Sequence, residues 1–432
     1  MQKLSTLDFY NNSLNEPFPA WISNLSSLKV IRFDLTGVTG SLPDDIGRLT
    51  NLERMFITRN AMSAYIPESI GQLGNLYELK LKRITLSETF TMPASMGALT
   101  NLKILYIEDY EDHLDFGATF PEWIRNLEKL EDLNLQNTWL NAELPEWIGD
   151  LSQLKSINMT GSFMEGNIPN SVLDLESLAT LSLSNNNYES LLNFKSHSNA
   201  SNLSINISSN LLDFGSIESN LNADGTIPFA SFTYFPQNSP DSTVQNHVFL
   251  NESADVQNLR AGGVNTLYQW QEWNGTYWLN VDDQNSANLN LPTITLDDDG
   301  RRFRCEMTNT LITNMTLYSE EYVIQVIIPQ TFYAISDGNW SDPTIWSLTD
   351  GGTTVGQVPT QFDDVEIGAF QVEVTEVVDC RGVNISAANN TLLLVSGREA
   401  RLTVNGEVTI LNQGAVENKI VQVTNGGKLE CK

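Results

Sequence analysis

Residues 52–75 read LERMFITRNAMSAYIPESIGQLGN, and this stretch decides the fold. Leu52, Met55 and Ile57 give an L-x-x-L-x-L pattern, whose alternation is that of a short strand with apolar side chains on one face. Asn60 follows, then Pro67, Ile70 and Leu73. The same pattern begins at Leu4, Leu28, Leu52, Leu76, Leu102, Leu130, Leu154, Leu178 and Asn202, at spacings of 24 to 28 residues. A proline recurs in register at Pro19, Pro43, Pro67, Pro93, Pro121, Pro145 and Pro169. Chance does not place seven prolines in register. Such a period marks a stack of units, none of which buries its apolar face alone.

The pattern resembles the plant-type leucine-rich repeat, over residues 1–225 in about nine repeats. Each L-x-L places two apolar side chains inside a solenoid. Asn12, Asn60, Asn186 and Asn210 are placed to satisfy backbone groups where the chain leaves the strand, and Thr36, Thr138 and Ser162 replace them in other units. The I-P-x-x-I-G-x-L half supplies the convex side, where proline needs no ladder hydrogen bond. Leu4 already belongs to a full repeat, so a capping segment and a signal peptide are expected upstream.

The repeat offsets list the concave face. Repeats two to four present Val30, Arg32, Asp34, Leu35, Arg54, Phe56, Thr58, Arg59, Glu78, Lys80, Lys82 and Arg83. The fifth adds Ile104, Tyr106, Glu108 and Asp109, followed by the insertion YEDHLDFGATF. Later repeats present small polar groups such as Asp132, Asn134, Gln136, Ser156, Asn158, Ser182 and Asn206. The candidate ligand-binding residues are therefore Arg32, Arg54, Phe56, Arg59, Lys80, Lys82, Arg83, Tyr106, Glu108 and Asp109. An ion-pair ladder of Lys80 and Lys82 with Glu78, Glu108 and Asp109 is the competing account of the same residues.

After Asn222 the leucine period stops, and FASFTYFPQNSPDS reads as a linker. Residues 226–328 hold this linker and a run of short alternating strands. They resemble an immunoglobulin-like β-sandwich, with Trp270 in Y-Q-W-Q and the segment Leu296 to Cys305 matching its core tryptophan and its D-x-G-x-Y-x-C corner. The resemblance leaves Cys305 without its partner, with Val256 or Leu259 in that core slot. Residues 329–432 run from GNWSDPTIW through VPTQFDDVEI into Val- and Leu-rich stretches broken by Asn-Gly and Gly-Gly turns. They resemble the start of a right-handed β-helix-like module of Bacteroidetes-type secreted proteins, with Trp340 and Trp346 closing its end. The fold class expected is mainly β and multidomain.

Composition limits the function. With 24 basic against 53 acidic residues the net charge is −29, which argues against a nucleic-acid partner. No run of about 18 apolar residues suggests a membrane span. Three scattered cysteines (Cys305, Cys380, Cys431) give neither a disulfide framework nor a thiolate metal site. Asp297, Asp298 and Asp299 read as a turn rather than a calcium loop. Asp363, Asp364 and Glu366 are the carboxylates an enzyme of the β-helix kind would draw on, but they precede the rungs. The reading that results is a non-catalytic, secreted or surface-displayed recognition and adhesion protein without metal or cofactor, binding a protein, peptide or acidic glycan. An inhibitor or accessory subunit for a polysaccharide-degrading enzyme, or a fragment of such an enzyme, is the alternative.

Overall fold

The computed structural model describes residues 4–64, 66–86, 92–108, 119–260, 262–386, 392–396, 400–405, 408–411, 421–424 and 428–431. The chain divides into two compact units. The first comprises Met1–Val244, Gln257–Leu289 and Phe303–Glu321, and the second Gln245–Val256, Asn290–Arg302 and Tyr322–Lys432.

The first unit is built on one parallel sheet of ten strands in sequence order. These are β1 (Thr6–Asp8), β2 (Val30–Asp34), β3 (Arg54–Ala64), β4 (Glu78–Leu86), β5 (Ile104–Glu108), β6 (Asp132–Asn134), β7 (Ser156–Asn158), β8 (Thr180–Ser182), β9 (Ser204–Asn206) and β10 (Ser231–Thr233). The inward residues, such as Ile31, Met55, Leu79, Leu105, Leu133, Ile157 and Leu181, are fully buried. β10 comes from the stretch that reads as a linker: Phe232 pairs with Ile205 and is buried, so the sheet gains a strand without the leucine pattern.

Strand length follows one side chain. In β6, β7 and β9 the second outward residue is Asn134, Asn158 or Asn206. Its Oδ1 accepts the N–H two residues on, from Gln136, Thr160 or Ser208, and this local turn competes with the ladder. Those strands are three residues long. Ser182 holds the place in β8, which is equally short. In β2 to β5 the place belongs to Arg32, Phe56, Lys80 and Tyr106, which offer no such acceptor, and the strands run five, eleven, nine and five residues.

Opposite the sheet, short 3-10 helices begin directly after Pro19, Pro67, Pro93, Pro121, Pro145 and Pro169. Proline supplies the extended φ of the position before each helix and its carbonyl accepts the first i→i+3 bond, as from Ile70 to Pro67 at 3.0 Å. Where a glycine follows the buried apolar residue, as at Gly47, Gly71, Gly97 and Gly149, packing against the next repeat requires it. A Cβ on Gly71 would lie 2.5 Å from the carbonyl oxygen of Ser95 in the next repeat, and one on Gly149 equally close to that of Ser171.

The buried asparagines do what their position suggests. Asn186 accepts the N–H of Ser162 and Met164 and donates to the carbonyls of Met159 and Leu183. Asn60 serves Thr36 and Phe33 in the same way. Each asparagine thus satisfies groups of the preceding repeat, which is why Thr36 and Ser162 suffice where they stand. Asn12, in the first repeat, is exposed.

Between β9 and β10 lies helix α1 (Phe214–Glu218), capped by Asp213, whose Oδ1 accepts the Ser216 N–H at 2.7 Å. Its Glu218 accepts backbone N–H groups from Val264 and Asn265 and the amides of Asn265 and Asn309. The strand Thr266–Trp273 pairs antiparallel with Trp278–Asn280 and with Arg302–Asn309, which places Trp270 opposite Cys305. Trp270 is fully buried and its Nε1 donates to Ser286 O. Cys305 is free and buried, and burial pushes its thiol up to about 12. Of the two residues expected in its partner's slot, Val256 is buried and Leu259 is 68% exposed.

In the second unit, strands pair in parallel with the third strand on in sequence. Asp364–Ile367, Gly382–Ser386 and Val408–Leu411 make one ladder, and Gln371–Val374, Leu392–Ser396 and Val421–Thr424 a second. Val377–Cys380, Arg401–Val404 and Lys428–Cys431 make a third. Val365, Val374, Cys380, Ile385 and Leu402 fill the core between them, with Trp340 and Trp346 packed edge to face at 5.2 Å. Both indoles are buried, so neither offers a face to a sugar.

Candidate functional site

The outward residues of β2 to β5 fall into three rows across the strands, which lie ~4.8 Å apart. The middle row, extended by Asp8 of β1, reads Asp8, Arg32, Phe56, Lys80, Tyr106. Cation and ring alternate. The Arg32 guanidinium lies 5.2 Å from the Phe56 ring centre, and Lys80 Nζ lies 5.6 Å from Phe56 and 5.5 Å from Tyr106. Lys82 Nζ, from the third row, sits 4.1 Å over Tyr106. Such contacts contribute about 0.5–1 kcal/mol each when exposed, and more when dry.

Carboxylates pair with the same cations. Lys80 Nζ is 2.7 Å from Glu78, Lys82 Nζ is 3.0 Å from Glu108, and Arg32 is 3.7 Å from Asp8. Of the expected ion-pair ladder, Lys82–Glu108 crosses between strands, Lys80 pairs within its own strand, and Asp109 lies outside the described residues. The carboxylates are the buried partners: the Glu78 and Glu108 side chains are 13% and 8% exposed, those of Lys80 and Lys82 31% and 29%. The lysines are thus the more exposed member of each pair. Asp8 had no place in the sequence-derived set, and only the register shows it as the end of the row.

The first row holds Val30, Arg54, Glu78, Ile104 and Asp132. Arg54 is half-buried, and its Nε has no hydrogen-bond partner among the described residues. Burial raises the Asp132 carboxyl above the usual range, against the opposing pull of a bond from Ser156 and of Lys80. Arg59 is exposed just past the third row, with φ +54°. Arg83 lies within β4, but its side chain is outside the described set, and Asp109 and the insertion that follows lie outside the described residues. The structure thus brings Arg32, Arg54, Phe56, Lys80, Lys82, Tyr106 and Glu108 onto one face.

The carboxylates considered for catalysis are occupied by the fold. Asp363 accepts from Thr360 and from the Gln330 N–H, Asp364 pairs with Arg381, and Glu366 accepts from Asn384. Asp298 closes a capping box with Thr295 and pairs with Arg301, and Asp299 accepts the Val326 N–H. Among the described residues, no helix is long and apolar enough to cross a membrane, and no group of three or more His, Cys, Asp or Glu side chains is arranged to hold a metal ion.

Comparison with known proteins bears on the first unit. Residues 1–141 match the family described as leucine-rich repeat region. A segment of 56 residues is 45% identical to the receptor kinase-like protein Xa21 of rice (Oryza sativa subsp. japonica); the match covers 13% of this chain and spans 5% of that protein's length. A leucine-rich repeat protein of Leptospira interrogans superposes on 55% of this chain and 68% of its own, at 20% identity and a TM-score of 0.41. A plant ice-binding protein covers 56% of this chain and 73% of its own, at 17% identity and a TM-score of 0.41. The plant peptide hormone receptor RGFR1, in complex with RGF2, covers 100% of this chain and 72% of its own, at 14% identity and a TM-score of 0.42. The chain contains a leucine-rich repeat region, and every residue of the candidate site from Arg32 to Asp109 falls within the 141 residues that match it.

Proposed function

We propose that this is a non-catalytic recognition protein, secreted or displayed at a cell surface, whose sheet face over β2–β5 binds a carboxylate-bearing protein, peptide or glycan. The observation that carries the reading is the unbroken alternation of cation and ring across four adjacent strands. Rigid neighbours hold each anchor, so little side-chain entropy is lost when a ligand docks. Arginine and tyrosine are frequent hot-spot residues. In this reading the antiparallel strands around Trp270 form an immunoglobulin-like domain, the parallel ladders form a β-helix-like module, and both serve to display the repeats.

The test uses the full chain with a glutamate-rich peptide and an oligouronate, titrated by calorimetry. Lys80→Ala and Arg59→Ala together are expected to weaken binding by about tenfold or more, each ~1.4 kcal/mol being a factor of ten. Binding should also weaken as salt shortens the ~8–10 Å Debye length. Equal affinity in wild type and double variant would leave the ion-pair ladder as the whole account of these residues.

A further inference from the structure

The other half of the sheet differs in chemistry. Among the outward positions of β6–β9 and the residues that directly follow them, Asp132 at the edge is the only ionisable side chain. The rest are amides and hydroxyls. Asn158 Nδ2 donates to Gln136, Asn206 Nδ2 reaches Ser184, and the hydroxyls of Thr160 and Ser184 lie 3.2 Å apart. In a chain with a net charge of −29, a four-strand face this neutral stands out.

Beyond the left-handed corner that follows each strand, the next outward position holds Trp139 in one repeat and Phe163 in the next. Their rings meet edge to face at 5.3 Å, and the residues remain 40% and 45% exposed. Ser13, Gly37 and Asn187 hold the same place elsewhere, so the repeat does not require an aromatic there. Phe163 also has φ +55°, a conformation that a bulky side chain adopts only at a cost.

We propose that the β6–β9 face, edged by Trp139 and Phe163, is a second binding surface and that its ligand is a neutral oligosaccharide. Sugar hydroxyls both donate and accept, as the amides and hydroxyls here do. The C–H faces of a sugar ring need an exposed apolar platform, which the two aromatic rings provide. A charged peptide finds no counter-charge on these strands. An anionic glycan is repelled by the net charge of −29 and finds no cation at the outward positions of β6–β9. Apart from Asp132, which lies at the edge of both, this surface shares no residue with the one assigned above, and the two differ in salt dependence.

The experiment titrates the full chain with neutral hexasaccharides cut from β-glucan, mannan and xylan, with a hexauronate as the charged comparator. At least one neutral hexasaccharide is expected to bind with Kd below about 1 mM, unchanged between low and high salt. Phe163→Gly removes the ring and suits the left-handed backbone, so Tm should hold or rise while affinity drops about tenfold or more. Trp139→Ala is the second variant and should weaken binding as strongly, whereas Lys80→Ala should leave it unchanged. No neutral hexasaccharide binding below that limit, binding that survives both aromatic variants, or binding lost with Lys80 or with salt would each overturn the proposal.

Discussion

Seven repeats place one residue in the left-handed region at the same offset: Asn11, Leu35, Arg59, Asn137, Gly161, Asn185 and Ser209, with φ between +54° and +68°. Asparagine and glycine adopt it readily, but leucine and arginine do so at a cost of about 1–2 kcal/mol. Leu35 and Arg59 stand side by side at the edge of the candidate face, Leu35 just past β2 and Arg59 in the adjacent β3. Leu35→Asn restores the side chain found in three other repeats. It is expected to stabilise the protein by ~0.5–1 kcal/mol, read as a higher urea midpoint. A lower midpoint would show that the partial burial of Leu35, 38% exposed, outweighs the strain.

At the scale of one repeat against the next, residues that follow the leading leucines pair across repeats in two groups, Lys29 with Glu53 and Lys103 and Lys155 with Glu131. Glu131 accepts from Lys103 at 2.8 Å and from Lys155 at 2.7 Å, reaching the repeats on either side. Those two lysines hold its carboxyl well below the usual range, at about 2 against 4.5. A depressed carboxylate pKa stabilises the fold above the unfolded value, and the contribution is lost as pH falls from about 4.5 through about 2. The lysines are more than half exposed, so screening keeps the effect small. Glu131→Gln should cost less than about 1 kcal/mol at neutral pH, and less in high salt. Acid titration of thermal stability should bring variant and wild type together below that window. A difference that persists at low pH would assign the cost to lost packing.

At the scale of the whole first unit, one buried arginine joins segments far apart in sequence. Arg260 is 6% exposed and donates to the carbonyls of Leu212, Asn238 and Tyr318 at 2.8 to 3.0 Å. Burial pulls its guanidinium down to about 10, opposed by Glu320, Asp213 and Glu189, so it stays charged at neutral pH. Arg260→Met keeps the volume and strands three acceptors. The expected loss is ~3–5 kcal/mol, seen as a marked fall in Tm. Arg260→Lys should rescue little, because an ammonium lacks the planar fork that reaches three directions. A full rescue by lysine would show that charge alone is required.

The repeat period was legible because each unit meets only its neighbours: the L-x-L strand, the proline, the asparagine and the outward positions recur wherever the stack does. The concave residues could therefore be listed from offsets, and their register in β2–β5 follows the list. The lone Cys305 was equally readable, since pairing needs a second thiol in reach. Other features depend on contacts the period does not encode. That Lys80 takes Glu78 while Lys82 takes Glu108, and that the row ends in Asp8, depends on which side chains within a few ångströms win once buried. The tenth strand has no leucine pattern, because β10 completes a ladder whose other side already exists. Arg260 gives no sequence signal, because its three acceptors are backbone carbonyls drawn together only by the fold. Periodic packing was written along the chain, and the pairing of charges and the closure of the unit were decided by desolvation and proximity in three dimensions.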